Sequence, residues 1–192
     1  MKKLILASAS PRRKDLLKTL GLEFDIIPSN VEENIEGIPF SNALIEELAL
    51  SKAQDVASKA DNSSVVIGAD TVVVVDSVIL GKPKDEQDAA KMLKMLSGRT
   101  HSVVSGIAVV DKSSGKILTD SVESLVTFRD LDDEEINNYI KTGEPLDKAG
   151  AYAIQGYASI FVSFIKGDCN NIIGLSTYKL AEMLKEVDIK VL

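Results

Sequence analysis

The sequence predicts one α/β domain over residues 1–192, with a mixed, twisted β-sheet flanked by helices. Apolar runs rich in β-branched residues alternate along the chain with segments whose apolar residues recur at helical spacing. Hydrophobic residues make up 45% of the chain, which is enough to bury a core. The sequence has no repeats, low-complexity stretches or linker-like segments, so we expect no division into separate domains.

The chain starts with a predicted strand over residues 3–8 and a helix over residues 11–20. Ser10 suits the N-cap of that helix, Pro11 suits its first position, and Gly21 ends it. We therefore expect a short connection that leads directly from the strand into the helix.

Three further elements are predicted in the next part of the chain. A second strand over residues 23–28 is followed by the acidic loop "SNVEENIEGIPF". A helix of about 18 residues begins at Ser41, because apolar residues from Leu44 to Val56 recur at helical spacing. The run "SVVIGADTVVVVDSVIL" is rich in β-branched residues and predicts a buried strand or strand pair.

The second half of the chain predicts helices and hairpins in turn. A turn and a helix closed by Gly98 are expected in "GKPKDEQDAAKMLKMLSG", and a long β-hairpin over residues 101–129 turns at residues 111–115. The segment "LDDEEINNYIKTG" predicts a short helix whose acidic start suits the helix dipole. The remaining segments predict, in order, a small-residue loop in "DKAGAYAIQG", a second hairpin in "ASIFVSFIKGDCNNIIG" and a terminal helix in "LSTYKLAEMLKEV".

Composition and charge exclude several classes of protein. The net charge of −7 disfavours a general nucleic-acid binder, because such a surface repels a phosphate backbone. No apolar stretch approaches the roughly 20 residues that span a bilayer, and the apolar run after Lys3 is too short for a signal peptide, so we expect a cytoplasmic protein without membrane contact.

The single cysteine, Cys169, excludes an internal disulfide, and we expect no catalytic role for it in "GDCNN", which predicts a hairpin turn. Any Ser-His-Asp or Cys-His scheme would depend on the one histidine, His101.

Positive charge is concentrated where a helix disfavours it. Arg12, Arg13 and Lys14 fall in the first turn of the helix over residues 11–20, where unpaired N–H groups and the macrodipole already form a positive pole. Each cation there costs very roughly 0.3–1 kcal/mol, and Asp15 alone offers local relief. Neither the Walker pattern GxxxxGKS/T nor the Rossmann pattern GxGxxG occurs. A polyphosphate site built from this helix N-terminus and scattered cations is the arrangement that remains.

Asp70 interrupts an apolar run, so we expect its carboxylate at the end of a buried strand or inside a sharp bend. Burial of an unpaired carboxylate is costly, and the usual solutions are a cation, a metal ion or a raised pKa. Each solution points to a functional site, whereas an Asx-type turn would make Asp70 structural. The residues alone leave both interpretations open.

Other polar residues also allow a functional and a structural interpretation. Glu32 and Glu33 suit a magnesium site or a solvated loop. Lys52 either borders the buried face of its helix, where it could serve a site, or is a surface lysine whose stem lies along apolar surface. Lys82 lies in a rigid Gly-Pro turn, which either directs its side chain towards a site or is an ordinary turn. Taken one at a time, the structural interpretation is the stronger one for each, and His101 is expected to be structural as well.

Several short motifs, taken together, resemble the Maf family of nucleoside triphosphate pyrophosphatases. They cover nearly the whole chain in order: "LASASPRR", the pair Glu32-Glu33, "LALSKA", "IGADTVV", "GKPKD", "LSGRTHSV", "DKAGAYAIQG" and "IIGLS". The resemblance implies a cytoplasmic enzyme that cleaves a nucleoside triphosphate between its α- and β-phosphates with a divalent metal ion, Mg²⁺ or Mn²⁺. It also implies two lobes around a substrate cleft, a frequent homodimer, and a house-cleaning role linked to septum formation.

The resemblance implies roles for single residues. The general base of the family falls on Asp70, which is also expected to share a metal site with Glu33. The phosphate-binding positions of the family fall on Ser8, Arg13, Lys52 and Lys82.

Three further positions, Arg12, Thr71 and Gln155, are implied to set substrate choice. These residue types resemble the branch that acts on dTTP and UTP, whereas the branch that acts on 7-methyl-GTP has an aromatic residue, Gln and Glu there. A Gln amide can accept the N3–H of uracil or thymine while it donates to a ring carbonyl. The flipped amide would suit cytosine, and Arg12, which only donates, removes that ambiguity if it reaches the base.

Two residues depart from the family pattern. Ala153 stands where glycine is usual and would crowd the base pocket by one methyl group. Ser176 replaces a common proline and is expected to be neutral at a helix start. Two other functions stay open: a purine-directed pyrophosphatase acting on 7-methyl-GTP or ITP, and a nucleotide-binding septum regulator without catalysis.

Overall fold

The computed structural model describes residues 2–32 and 38–192. Within them lie seven strands: β1 (Lys3–Leu6), β2 (Asp25–Ile26), β3 (Ser64–Val75), β4 (Val78–Leu80), β5 (Thr100–Asp111), β6 (Lys116–Phe128) and β7 (Val162–Lys166). The α-helices there are α1 (Pro11–Thr19), α2 (Asn42–Lys59), α3 (Glu86–Leu96), α4 (Asp133–Ile140), α5 (Cys169–Ile173) and α6 (Thr177–Lys185). Short 3-10 segments span Glu144–Asp147, Ala149–Ala151 and Tyr157–Phe161.

The sheet is mixed, as predicted. Its strand order is β2-β1-β3-β5-β6-β7, with β4 also beside β3. The pairings of β1 with β2 and β3 are parallel, and the other pairings are antiparallel. The predicted long hairpin is confirmed, since β5 and β6 keep one register from the pair Thr100 and Thr127 to the pair Asp111 and Lys116.

Strand β3 changes its neighbour halfway along. Its first half pairs with β1 up to Ile67, and its second half pairs with β4 from Val73 onward. In the described structure, residues 68–72 have β5 on one side and no paired strand on the other. This break leaves space at the edge of a buried strand.

The apolar core forms separate clusters on either side of this break. One cluster joins the second half of β3 to α3 and α4 and includes Val73, Leu93 and Phe128. Another joins the first half of β3 to α1 and α6 and includes Leu17 and Leu184. Each large side chain that is fully buried contributes about 1.5–3 kcal/mol, so both clusters are substantial. The predicted two lobes are therefore confirmed.

Helix α2 packs unusually close to the sheet because two glycines face it. A Cβ atom added at Gly68 would lie 2.1 Å from the carbonyl oxygen of Ala49, and one at Gly106 would lie 2.3 Å from that of Ile45. Glycine leaves room for this approach. The close contact brings Lys52 of α2 against the middle of β3.

Two sequence-based expectations are wrong. Asp70 lies inside β3, neither at its end nor in a bend, because the strand continues past it to a turn at Asp76 and Ser77. The second predicted hairpin is absent from the described structure: β7 pairs with β6 and is followed by α5. The physical reason is Asp168, whose carboxylate accepts the N–H of Asn170 at 2.8 Å and caps a helix where "GDCNN" predicted a turn.

Smaller differences concern lengths. The strand predicted over residues 23–28 shortens to Asp25–Ile26, whereas the helix predicted from Ser41 has the expected 18 residues with Ser41 as its N-cap. Across the described residues, none of the helices has the length and apolar character needed to cross a bilayer.

Candidate active site

A cleft of about 540 Å³ opens at the break beside β3. Its walls come from the connection between β1 and α1, the middle of β3, the end of α5 and the loop over residues 147–155. Eight predicted site residues line it: Ser8, Arg12, Arg13, Lys52, Asp70, Thr71, Lys82 and Gln155. The ninth, Glu33, lies outside the described residues. The fold thus brings together residues from distant parts of the sequence.

The N-terminus of α1 borders the cleft. Ser10 occupies the N-cap position, as predicted, but among the described residues its side chain makes no capping hydrogen bond. Its own N–H donates to Ser8 Oγ at 3.2 Å, and the first turn holds Arg12 and Arg13 but no acidic residue. Uncapped N–H groups beside two guanidinium groups favour an anion such as phosphate.

Asp70 and Lys52 form a buried ion pair in the cleft wall. Lys52 Nζ lies 2.5 Å from Asp70 Oδ1, and the two residues are 6% and 4% exposed. Asp70 Oδ2 is buried and has no hydrogen-bond partner among the described residues. The snorkelling interpretation of Lys52 and the Asx-turn interpretation of Asp70 are therefore both wrong. A carboxylate with one oxygen neutralised and the other unsatisfied can still take up a proton, a water molecule or a metal ion.

Arg13 is held in place by protein groups on three of its nitrogen atoms. Nε donates to the carbonyl oxygen of Gly174 at 2.9 Å, Nη1 to Ser8 Oγ at 3.3 Å and Nη2 to Thr71 Oγ1 at 3.1 Å. Gly174 has φ +136°, a conformation that glycine adopts readily. The guanidinium group is therefore fixed at the cleft before any ligand binds.

The loop over residues 147–155 adds groups that the sequence did not single out. Lys148 lines the cleft, and its ammonium group is paired with the carboxylate of Asp147. The hydrogen bond from Lys148 lowers the pKa of Asp147, with smaller contributions from the charges of Lys148 and Arg12, while burial opposes the shift. Lys148 escapes prediction because a single lysine in a loop gives no signal beyond its place in "DKAGAYAIQG". Gln155, which is exposed, ends this wall of the cleft.

Tyr152 connects the cleft wall to the core. Its hydroxyl group lies 2.8 Å from Nε2 of His101, and its ring packs edge-to-face on Phe128 at a centroid distance of 4.8 Å. Burial lowers the pKa of His101 to about 4 and raises the pKa of Tyr152. His101 is therefore neutral at pH 7 and lies in the core, as the sequence predicts.

The two departures from the family pattern have clear positions. Ala153 lines the cleft, and its backbone N–H donates to the hydroxyl group of Tyr139 at 3.3 Å. Ser176 is the N-cap of α6, where its Oγ accepts the N–H of Lys179 at 3.4 Å. The expected helix start at Ser176 is confirmed.

The donor atoms at the cleft fit a divalent metal ion that binds together with a nucleotide. The described residues contain no group of three or more His, Cys, Asp or Glu that could hold a metal ion. Asp70 Oδ2 is nevertheless an unsatisfied carboxylate oxygen, the ligand type that Mg²⁺ prefers. Because Mg²⁺ keeps several waters and takes ligands from phosphates, one or two protein carboxylates suffice.

Comparisons with known proteins agree with this geometry. The family model described as Maf-like protein matches residues 3–187. A dTTP/UTP pyrophosphatase from Alkaliphilus oremlandii is 51% identical over 185 residues, 96% of each chain. Another dTTP/UTP pyrophosphatase, from Ruminiclostridium cellulolyticum, is 48% identical over 195 residues, 100% of each chain.

Solved structures extend the likeness to the fold. A HAM1 protein from Coxiella burnetii has a TM-score of 0.56 at 17% identity, covering 97% of this chain and 100% of that one. The Ham1 protein of Staphylococcus aureus has a TM-score of 0.55 at 16% identity, covering 98% and 100%. These two structures support the architecture alone, whereas the family model spans nearly all of the sequence. The chain therefore belongs to the family of Maf-like proteins.

Proposed function

We propose that this protein is a nucleoside triphosphate pyrophosphatase that hydrolyses dTTP and UTP to the monophosphate and pyrophosphate. The observation that carries the proposal is the unsatisfied Oδ2 of Asp70, whose other oxygen, Oδ1, accepts from Lys52. The cleft that Asp70 lines contains four further cations: Arg12, Arg13, Lys82 and Lys148. Relatives about half identical over nearly the whole chain bear the name dTTP/UTP pyrophosphatase, which supports the same activity here.

The triphosphate is proposed to bind along the cationic side of the cleft. The chain as a whole carries a net charge of −7, so this local concentration of positive charge stands against an acidic background. The N-terminus of α1 and Arg13 offer N–H donors in fixed positions, while Lys82 and Lys148 add ammonium groups, the latter paired with Asp147. Donors that are already fixed need little reorganisation when charge develops on the leaving pyrophosphate.

The proposed reaction is attack of water on the α-phosphorus. The water oxygen bonds to phosphorus, the bond from the α-phosphorus to the bridging oxygen breaks, and pyrophosphate leaves. Asp70 Oδ2 accepts the proton of the attacking water, and Lys52 keeps the carboxylate in place by its contact with Oδ1. Lys52 thereby also places a positive charge beside the phosphates.

A divalent metal ion, Mg²⁺ or Mn²⁺, would be held by Asp70, with Glu33 as the predicted second ligand, and would neutralise charge on the phosphate oxygens. The two roles of Asp70 compete, because a carboxylate bound to a cation is a weaker base.

Recognition of the base is assigned to Arg12 of α1 and Gln155 of the loop over residues 147–155, which both line the cleft. The Gln155 amide suits the N3–H and a carbonyl of uracil or thymine, and Arg12 requires a carbonyl acceptor. Ala153 adds a methyl group to the same wall as Gln155 and narrows the space for a larger base.

The test is the release of pyrophosphate from dTTP, UTP, CTP, 7-methyl-GTP and ITP, each with and without Mg²⁺. We expect metal-dependent release from dTTP and UTP, with the other nucleotides at least about 10-fold slower, as one lost set of base hydrogen bonds predicts. Preferred turnover of 7-methyl-GTP or ITP would contradict the pyrimidine assignment. Tight binding of dTTP without any turnover would favour a nucleotide-binding regulator instead.

A further inference from the structure

The hydroxyl group of Thr71 is surrounded by protein groups. Oγ1 lies 3.1 Å from Arg13 Nη2, 2.8 Å from Ser105 Oγ and 3.2 Å from the carbonyl oxygen of Gly174. The hydroxyl group has a single proton, which it gives either to Ser105 or to the carbonyl oxygen of Gly174, and Arg13 occupies one of its two lone pairs. Thr71 therefore has no proton left to donate to a nucleobase, and these three contacts crowd its oxygen atom.

Ser105 lies behind Thr71 and away from the cleft. It is paired directly with Thr71 in the antiparallel register of β3 and β5, and it is 0% exposed. Its Oγ also lies 3.1 Å from the carbonyl oxygen of Asn171, to which it can donate. Among the described residues, Thr71 is the cleft-lining side chain to which Ser105 is hydrogen-bonded.

The far end of this hydrogen-bonded chain is anchored in the core. Asn171 of α5 is 0% exposed, and its Nδ2 donates to the carbonyl oxygen of Val103 and to Ser124 Oγ, both at 3.0 Å. The same helix ends at Gly174, whose carbonyl oxygen accepts from Arg13. Two of the groups that hold Arg13 are therefore fixed to one anchored helix.

We propose that Thr71 is a positioning residue for Arg13, that Ser105 positions Thr71, and that neither residue reads the base. This inference rests on the proposed function, because it assigns Arg13 to the phosphates of the substrate. Loss of either hydroxyl group then weakens the binding of every triphosphate by the same factor.

The chain offers a matched control for Ser105. Ser64 is also on β3 and 0% exposed, but its hydroxyl group has no hydrogen-bond partner in the part of the chain that the structure describes. Ser64→Ala and Ser105→Ala therefore remove the same atom from equally buried sites. A difference between the two variants reports the hydrogen bonds of Ser105 rather than the loss of a buried oxygen atom.

The experiment measures KM and kcat for dTTP, UTP and CTP in Ser105→Ala, Thr71→Val, their double variant, Thr71→Ser and Ser64→Ala. We expect Ser105→Ala and Thr71→Val to raise KM by about 5- to 30-fold, equally for all three nucleotides, and to lower kcat by a smaller factor, because Arg13 also faces the charge that develops on the leaving pyrophosphate. In the double variant, KM should rise no more than about 2-fold beyond Thr71→Val, because both changes break one chain of contacts. Thr71→Ser keeps the hydroxyl group and should stay near wild type, as should Ser64→Ala.

Three results would overturn the inference: an unchanged KM in Ser105→Ala, effects that multiply in the double variant, or a Thr71→Val variant that changes the preference among the three bases. A lowered Tm of Ser105→Ala with wild-type KM would show a purely structural role and would overturn it as well. Binding of inorganic pyrophosphate, measured by calorimetry on the same variants, separates this inference from the proposed function. If the wild type binds pyrophosphate but hydrolyses no triphosphate, the proposed function fails. Equally weakened pyrophosphate binding in Ser105→Ala and Thr71→Val would still support the inference that these two residues position Arg13.

Discussion

Two buried aspartates on neighbouring strands each pair with a lysine, yet their surroundings differ. Asp111 on β5 is 1% exposed, and both of its oxygens are satisfied: Oδ1 accepts the N–H and the hydroxyl of Ser113, and Oδ2 accepts from Lys2 and Ser114. Asp70 on β3 is 4% exposed, and its Oδ1 accepts from Lys52 while Oδ2 has no partner among the described residues.

The difference separates a structural carboxylate from a reactive one. Asp111 closes the turn of the long hairpin, where every hydrogen bond it accepts stabilises the folded chain. Asp70 lines a cleft at the break in β3. Its unsatisfied oxygen lowers the stability of the fold unless a water, a metal ion or the substrate binds to it. Buried carboxylates in one sheet can thus differ in role according to how completely the protein satisfies them.

The largest effect is expected for Asp70→Asn. The amide keeps the shape of the side chain but cannot accept a proton, so kcat for dTTP should fall by about 10²- to 10⁴-fold. The variant should still fold but with a lowered Tm, because the buried ammonium group of Lys52 loses its counter-charge. Steady-state kinetics together with a thermal melt test this, and an Asp70→Asn variant with near-normal turnover would remove Asp70 from the mechanism.

Lys52→Met should come next, because it leaves a buried carboxylate without its cation. We expect a loss of about 3 kcal/mol in the free energy of unfolding, near the lower end for buried pairs because this pair borders the cleft. Urea denaturation measures it. The double variant Asp70→Asn/Lys52→Met should recover most of that stability but no activity, and the absence of recovery would show that Lys52 stabilises the fold independently of Asp70.

Asp111→Asn should give the opposite result to Asp70→Asn. Its amide nitrogen cannot accept hydrogen bonds from Lys2 or Ser114, so the free energy of unfolding should fall by about 2 kcal/mol. The values of kcat and KM should remain within about 2-fold of the wild type. A large loss of activity in a folded Asp111→Asn variant would erase the distinction between the two aspartates.

The pH dependence of stability gives a smaller effect. Burial alone would raise the pKa of Asp111, but hydrogen bonds from Ser114, Ser113 and Lys2 outweigh it and hold the pKa well below the ordinary 3.8. As pH falls below about 4, the unfolded chain binds a proton that the folded chain does not, so this stabilisation is lost.

The stability advantage of the wild type over Asp111→Asn should accordingly shrink by about 1 kcal/mol between pH 5 and pH 3. His101 titrates in both proteins and cancels in the difference. Denaturant unfolding of both proteins across this range measures the effect, and a difference that does not depend on pH would show that Asp111 is not an ionised, hydrogen-bonded group in the folded state.

Much of the fold could be predicted because local patterns determine it. The 18 residues of α2, its cap at Ser41 and the long hairpin turning at residues 111–115 follow from apolar spacing, capping and turn residues. The segment "GDCNN" is harder to predict, because an aspartate followed by asparagines suits a turn and a helix cap equally well. The buried contacts of Asn171 favour the helix that Asp168 caps.

The residues of the site could be predicted from the sequence, but the contacts between them could not. Eight of the residues to which the family resemblance gives a role line one cleft. That Lys52 is buried against Asp70 could not be predicted from α2 alone, because the glycines that admit the helix lie on β3 and β5. The contacts among Arg13, Thr71 and Ser105 likewise join three segments that no local pattern relates.

Hydrolysis of dTTP in ¹⁸O-labelled water tests the central claim most directly. If the cleft holds water for attack on the α-phosphorus, the products are dTMP carrying one ¹⁸O atom and unlabelled pyrophosphate, both of which mass spectrometry resolves. Label in pyrophosphate, or formation of dTDP and inorganic phosphate, would place the attack elsewhere and contradict the proposed pyrophosphatase reaction.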